Sequence, residues 1–180
     1  MLIAQSPSFS RGECQNFCVG KAIKILTTKE MTLAAQMSVL VFLATFVPKI
    51  PIPLGYAHLG DAAIFLAVIF CGRRIGILSG VIGSALADLL SGFLIWVVPT
   101  IFIKAAMAEI FWRLKRKNIV LALIISSLVM TAGYTLTGAS LYDSLNAGLA
   151  STPGLLLKSA VNISVAIILS VAIKRRERAR

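Results

Sequence analysis

Apolar residues fall into six blocks along this chain, separated by short polar, glycine-bearing or proline-bearing breaks. Residues 1–30 are mixed and basic, with Arg11, Lys21, Lys24 and Lys29, and they precede a first block at 32–47 that Pro48 stops. Pro48, Pro51, Pro53 and Gly55 predict an irregular loop over 48–60, because proline and glycine punctuate regular structure. The second block, 62–71, is only ten residues long and runs into Gly72-Arg73-Arg74. The third, 75–90, closes on Ser91-Gly92, and a short apolar link continues through Trp96. Pro99 suits the first turn of a fourth helix, where its missing N–H is not needed, and that helix runs from Thr100 to about Trp112. A fifth block covers 119–137, a polar loop is predicted over 138–152, and Pro153 opens a sixth helix reaching Ile173.

A helix needs about 20 apolar residues to cross a bilayer. The fifth and sixth blocks meet that length, and the first four are shorter. The second block crosses only if it starts inside the preceding loop. Non-helical backbone at membrane depth is tolerated only when buried in protein or lining a cavity. The segment 48–60 is therefore expected to dip in as a lid over a polar pocket in the outer half.

Lysine and arginine settle the orientation. With six spans, both tails, the second-to-third turn and the fourth-to-fifth turn share one side, which holds fifteen of the eighteen Lys and Arg. The opposite loops hold only Lys49. The positive-inside rule then makes both termini cytoplasmic. The expected fold class is an all-α membrane protein of six transmembrane helices. Its parts are a basic tail at 1–30, a membrane domain at 31–174 and a second basic tail at 175–180.

Composition agrees. Hydrophobic residues make up 58% of the 180 and charged ones 14%, a balance that a water-facing surface of this size does not tolerate. A net charge of +11 would ordinarily suggest nucleic acid, yet the charges gather at the ends of the blocks, and no nucleic-acid partner is expected. Cys14, Cys18, Cys71 and the single His58 cannot build a tetrahedral metal site or a paired disulfide framework. The first thirty residues lack an apolar core followed by a small-residue cleavage site, so no signal peptide is expected.

Five ionisable residues, Asp61, Asp88, Lys104, Glu109 and Lys158, fall inside or beside the blocks. A charge near a helix centre costs about 2.5–3.5 kcal/mol on insertion scales and needs a partner or a wet cavity. If the third and fourth helices form an antiparallel hairpin turning near Trp96, Asp88 and Lys104 each lie eight residues from the turn. They are then expected at similar depth, as an ion pair holding the hairpin or as a pocket wall. Asp61 opens the second helix, where a carboxylate caps free N–H groups. Glu109 and Arg113 form an ordinary i,i+4 pair. Lys158 has no acid in its own helix. It either snorkels outward or faces the cavity and meets an anionic or carbonyl group of a ligand. Asn162 lies one turn deeper on the same face, and Tyr134 and Tyr142 frame the facing end of the fifth helix.

Small residues step along the third helix at Gly72, Gly76, Gly80, Gly83, Ser84 and Ala87, a spacing that lets helices approach closely. Ala34-x-x-x-Ser38 is a weaker pattern of the same kind, either a contact within the bundle or a docking face for another membrane protein. No GxxxxGK[ST] loop, HExxH or nucleophile elbow is present, so neither ATP hydrolysis nor another enzymatic activity is expected, and no cofactor is.

Three motifs carry a resemblance: Leu59-Gly60-Asp61-Ala62-Ala63, then Cys71-Gly72-Arg73-Arg74-Ile75-Gly76, then the run from Gly83 through Asp88 to Gly92. Together with Pro99-Thr100, Lys104, Gly133-Tyr134 and Pro153-Gly154, they resemble the S components of energy-coupling factor (ECF) transporters. The chain is most similar to the branch that includes hydroxymethylpyrimidine and vitamin B6 carriers, over roughly 32–172 in order and spacing. The resemblance implies a six-helix substrate-binding subunit of the cell membrane. It would capture a water-soluble vitamin or precursor from outside, under the loop between the first two helices. It further implies a transmembrane coupling (T) subunit and two ATP-binding cassette ATPase subunits as partners, with a docking patch that maps onto Ala34 and Ser38. Candidate ligand contacts are then Tyr56 and His58 on the lid, with Asp61, Asp88, Trp96, Lys104, Tyr134, Tyr142, Lys158 and Asn162 on the helices and their turns. After Pro153-Gly154 that branch usually carries an Asn and then a Gln, where this chain has Leu155 and Lys158. The exchange implies a ligand with an anionic or acceptor-rich group. The rival reading from the residues is a self-contained channel or facilitator for a small solute.

Overall fold

The computed structural model describes residues 26–48, 50–52 and 55–178. The basic tail before residue 26, Lys49, the loop tip at 53–54 and the last two residues lie outside the described residues. Six helices and one β-hairpin follow in order: α1 (Thr28–Phe46), β1 (Ile50–Ile52), β2 (Gly55–Ala57), α2 (Gly60–Phe70), α3 (Gly72–Leu90), α4 (Leu94–Leu114), α5 (Ile119–Leu141) and α6 (Leu145–Arg178).

Local chemistry sets most of the ends. Thr27 and Glu30 form a capping box that starts α1, with Thr27 N–H donating to Glu30 Oε2 at 2.9 Å. Asn118 caps α5 by accepting the N–H groups of Val120 and Leu121. Gly92, at φ +81°, closes α3 in a Schellman turn: Phe93 N–H donates to Asp88 O at 3.0 Å and Gly92 N–H to Leu89 O at 3.3 Å. Gly72, at φ +87°, follows the last turn of α2 and is also the first residue of α3, so no loop separates the two helices.

Three expectations change. The loop over 48–60 is in part a β-hairpin, with Pro51 opposite Tyr56, and a two-stranded ribbon is all edge, so a proline N without hydrogen breaks no ladder. Pro99 and Pro153 lie inside α4 and α6 and not in their first turns. The polar loop predicted at 138–152 contracts to 142–144, because α6 begins at Leu145 and packs its first turns on α5. Gly148 makes this approach possible: a Cβ there would stand 2.6 Å from Thr135 O. Thr135 and Thr152 also pair their hydroxyls across the two helices at 3.1 Å.

The short α2, eleven residues with eight buried, packs against α1, α3, α4 and α6. Its side chains Ile64, Phe65 and Val68 form the centre of the core with Val41, Met107 and Phe111. The Phe65 and Phe111 rings lie 4.8 Å apart at 56°. The small residues of α3 do what their spacing predicts. Gly76 faces Val68 and Gly80 faces Ile64 on α2, while Gly83 faces Ser38 and Val41 on α1. Ala34 and Ser38 are buried, and Ser38 O lies against Gly83.

Leu94–Leu114, Ile119–Leu141 and Gly148–Ile173 are long and apolar enough to cross a membrane. Their outer faces expose large apolar side chains, Phe102 at 71% among them, as lipid contact requires. This is a membrane protein built as a helical bundle.

Candidate functional site

Buried ionisable side chains from five elements converge at the N-terminal end of α2. Asp61, in its first turn, is 1% exposed, and Lys104, from the middle of α4, is equally buried. Lys104 Nζ donates to Asp61 Oδ1, and Lys158 Nζ of α6 lies 3.2 Å from Asp61 Oδ2. Two ammonium groups thus flank one carboxylate in a site closed to water. A buried pair holds only when the geometry is good and the remaining polar atoms find partners.

His58 and Asn162 supply those partners. His58 Nδ1 accepts the Gly60 N–H at 3.0 Å, and its Nε2 lies 3.0 Å from Lys158 Nζ. Asn162 Nδ2 donates to His58 O at 2.8 Å and to Lys158 O at 2.9 Å. Its Oδ1 accepts the Ala62 N–H at 2.9 Å. Asn162 therefore satisfies the α2 terminus that Asp61 was expected to cap, and Asp61 is left for the lysines. At the other end of α2, Lys115 Nζ donates to Val68 O at 2.7 Å. A cation on the last carbonyls of a helix is favourable.

Lys104 was expected to pair with Asp88, and the structure corrects this. Lys104 pairs with Asp61, whereas Asp88 Oδ2 accepts the Thr100 hydroxyl at 2.6 Å. Thr100 is a full turn before Lys104, so Asp88 and Lys104 differ in level by that turn. Tyr134 ties the two groups together. Its hydroxyl donates to Thr100 Oγ1 at 3.1 Å, and its ring stands 5.5 Å from Lys104 Nζ and 5.7 Å from Lys158 Nζ. Trp96 packs its ring 6.0 Å from that of Tyr134. Lys158 is 5% exposed, which excludes snorkelling. Glu109 keeps its expected Arg113 partner at 2.7 Å and gains Arg73 at 2.6 Å.

The structure thus gathers His58, Asp61, Asp88, Trp96, Lys104, Tyr134, Lys158 and Asn162. Tyr142 is 48% exposed on the short α5–α6 turn, and the Tyr56 side chain lies outside the described part. Thr100 is the member that the sequence reading passed over. Its position one turn from Lys104, on the same face of α4, was the available signal. An apolar groove of about 410 Å³ on the outer flank of α5 and α6, lined by Leu128, Leu136, Leu149 and Leu156, shares no residue with this cluster.

The ammonium groups suit anionic or carbonyl acceptors, the carboxylate suits an N–H or O–H donor, and the aromatic pair suits a flat ring. Charged groups in the interior of a membrane bundle stand only with partners or a water-filled cavity, and here they have partners. The family description "ECF-type riboflavin transporter, S component" matches residues 25–175. The chain therefore belongs to that family, whose members are substrate-binding components of ECF transporters and not enzymes. It is also 34% identical over 109 residues to the "Uncharacterized protein in gap 3'region" of Pyrococcus woesei, covering 57% of this chain and 73% of that protein.

Proposed function

We propose that this chain is the substrate-capture subunit of an ECF-type importer, taking a water-soluble vitamin or precursor from outside into the Asp61–Lys104–Lys158 cluster. The chain crosses the membrane six times with both termini cytoplasmic; α2 makes about half of the second crossing and the segment before it, with the β1–β2 hairpin, makes the rest and covers the entrance. The observation that carries the reading is a fully buried, multiply hydrogen-bonded charge cluster in a chain of the S-component family. Intramembrane ionisable groups mark solute paths by default. The ligand is a small heterocycle with acceptor atoms for the lysines. Riboflavin, named in the family description, hydroxymethylpyrimidine and pyridoxine are the first compounds to test. A membrane T subunit and two ATPases, with which ECF S components work, supply the energy.

Mass spectrometry of small molecules extracted from the detergent-purified protein, followed by calorimetry with the three named compounds, tests the proposal. Binding at micromolar affinity or tighter, with no uptake into proteoliposomes holding this chain alone, is the expected result. Binding of none of them, with no co-purified vitamin, overturns the ligand class. Solute flux through the chain alone selects a facilitator instead.

A further inference from the structure

Lys158 Nζ lies between two groups, His58 Nε2 at 3.0 Å and Asp61 Oδ2 at 3.2 Å. Only the first contact is aligned as a hydrogen bond, since Asp61 Oδ2 has no hydrogen-bond partner among the described residues. The hydrogens of His58 decide what that contact is. Its Nδ1 faces the Gly60 N–H at 3.0 Å. A backbone amide nitrogen donates and does not accept, so Nδ1 carries no hydrogen. A neutral imidazole has one donor and one acceptor nitrogen, and an imidazolium has two donors. His58 is therefore neutral, with its one hydrogen on Nε2, toward Lys158. An ammonium group has three donors and no acceptor, so it would set donor against donor there. An amine offers a lone pair to the Nε2 hydrogen and keeps two hydrogens of its own, with Met130 Sδ 4.0 Å away. The titratable groups around this pair are Asp61 on α2, Asp88 on α3, Lys104 on α4 and Tyr134 on α5. Asp61 accepts from Lys104, Asp88 accepts from Thr100, and Tyr134 donates to Thr100.

We propose that Lys158 is a proton-operated switch with two exclusive partners. As an amine it accepts the His58 Nε2 hydrogen and ties α6 to the residue that follows β2. With a third hydrogen it becomes the second cation of Asp61 and gives up His58. Asn162 Nδ2 donates to the His58 carbonyl, a backbone atom, in both forms, so the exchange is confined to side chains. The change to the Asp61 form takes up one proton. The His58 form therefore prevails as pH rises and the Asp61 form as it falls. Under the proposed capture function, a ligand rich in acceptor atoms draws out the ammonium form and binds with uptake of a proton. The switch itself is independent of that reading.

The test is ¹⁵N NMR of ligand-free, full-length protein in detergent, labelled at lysine and histidine. His58 is the single histidine of the chain, so its ring signals assign themselves. At about pH 8, where an ordinary lysine is an ammonium, wild type is expected to show one Nζ signal at the amine position and the rest at the ammonium position. The imidazole is expected to carry its hydrogen on Nε2 and none on Nδ1. Lys158→Met removes the amine signal and leaves that hydrogen on Nε2, where Gly60 fixes it. On acidification of wild type, the amine signal moves to the ammonium position and the Nε2 signal shifts in the same step. A hydrogen on Nδ1 at about pH 8, or ammonium positions for every lysine there, overturns the switch. An amine signal that survives in Lys158→Met also overturns it. Wild-type spectra alone decide the first two outcomes, so the test stands even if the variant does not fold. No ligand is present, so a failure of the capture function leaves the result untouched.

Discussion

Asn162 Oδ1 accepts the Ala62 N–H at 2.9 Å across one hundred residues of sequence, so the terminus of α2 is capped from α6. Asn162→Ala removes that cap and the side-chain hydrogen bonds that Nδ2 donates to His58 O and Lys158 O. The expected cost is about 2–3 kcal/mol, read as a lower melting temperature in detergent. Asn162→Asp keeps the acceptor but turns an oxygen toward two carbonyls, and it is expected to melt no higher than the alanine variant. Wild-type melting of either variant would remove Asn162 from its structural place.

Asp61 serves two cations, and the three charges are unequal in what they leave behind. Asp61→Asn strands Lys104 and Lys158 together in a buried site, at an expected cost of about 3–5 kcal/mol. Lys104→Met or Lys158→Met leaves one complete pair and is milder. The combination Asp61→Asn with Lys158→Met recovers part of the loss, a coupling that a double-mutant cycle reads directly. Melting temperatures in the reverse order would contradict the pairing.

At Gly76, an added Cβ would meet backbone atoms of Val68, with the Val68 nitrogen at 2.9 Å. Backbone has little room to yield, and Gly76→Ala is expected to cost about 1–3 kcal/mol through forced separation of α2 and α3. Ile82→Ala, on the outward face of the same helix, is the control and should leave the melting temperature nearly unchanged. Equal effects at the two positions would show that α3 does not pack as described.

The Arg73–Glu109–Arg113 cluster is a contrasting case. Its arginines are largely exposed, so the two bridges carry little net energy. Glu109→Gln is expected to change stability by less than about 1 kcal/mol, with a loss that shrinks as salt is added. A loss as large as that of Asp61→Asn would mean that this end is as dry as the centre.

Orientation is open to a direct measurement. In a background with Cys14, Cys18 and Cys71 replaced by serine, Tyr142→Cys should react with an impermeant maleimide on intact cells. Arg116→Cys should react only after the membrane is opened. Both positions are exposed, so burial does not mask the outcome. Reaction of both from one side would rule out the six-span arrangement.

The order of the helices was legible because apolar blocks, prolines and basic clusters mark it residue by residue. Gly72 and Gly92 announced their turns, and the small residues of α3 announced its packing face. What failed was partner choice. Lys104 was matched to Asp88 by counting along one hairpin, but the short α2 wedges between α3, α4 and α6 and brings Asp61 closer. No periodicity within a helix encodes a contact between positions 43 residues apart, or one between positions 100 apart. Pro99 and Pro153 misled for a local reason. Each proline signals a helix start, yet in a membrane bundle neighbouring helices support the turns ahead of it, as α5 supports those of α6 through Gly148 and Thr152.

The brevity of α2 has a mechanical meaning. Eleven residues rise about 16 Å, close to half of a hydrocarbon layer roughly 30 Å thick. Asp61 stands at the far end of that rise from Arg73 and Arg74, and its partner Lys104 is the middle residue of Leu94–Leu114. Under the proposed capture function, a solute resting on this carboxylate would be about equidistant from the two faces of the membrane. On that reading, what would remain of the crossing is the length of one short helix.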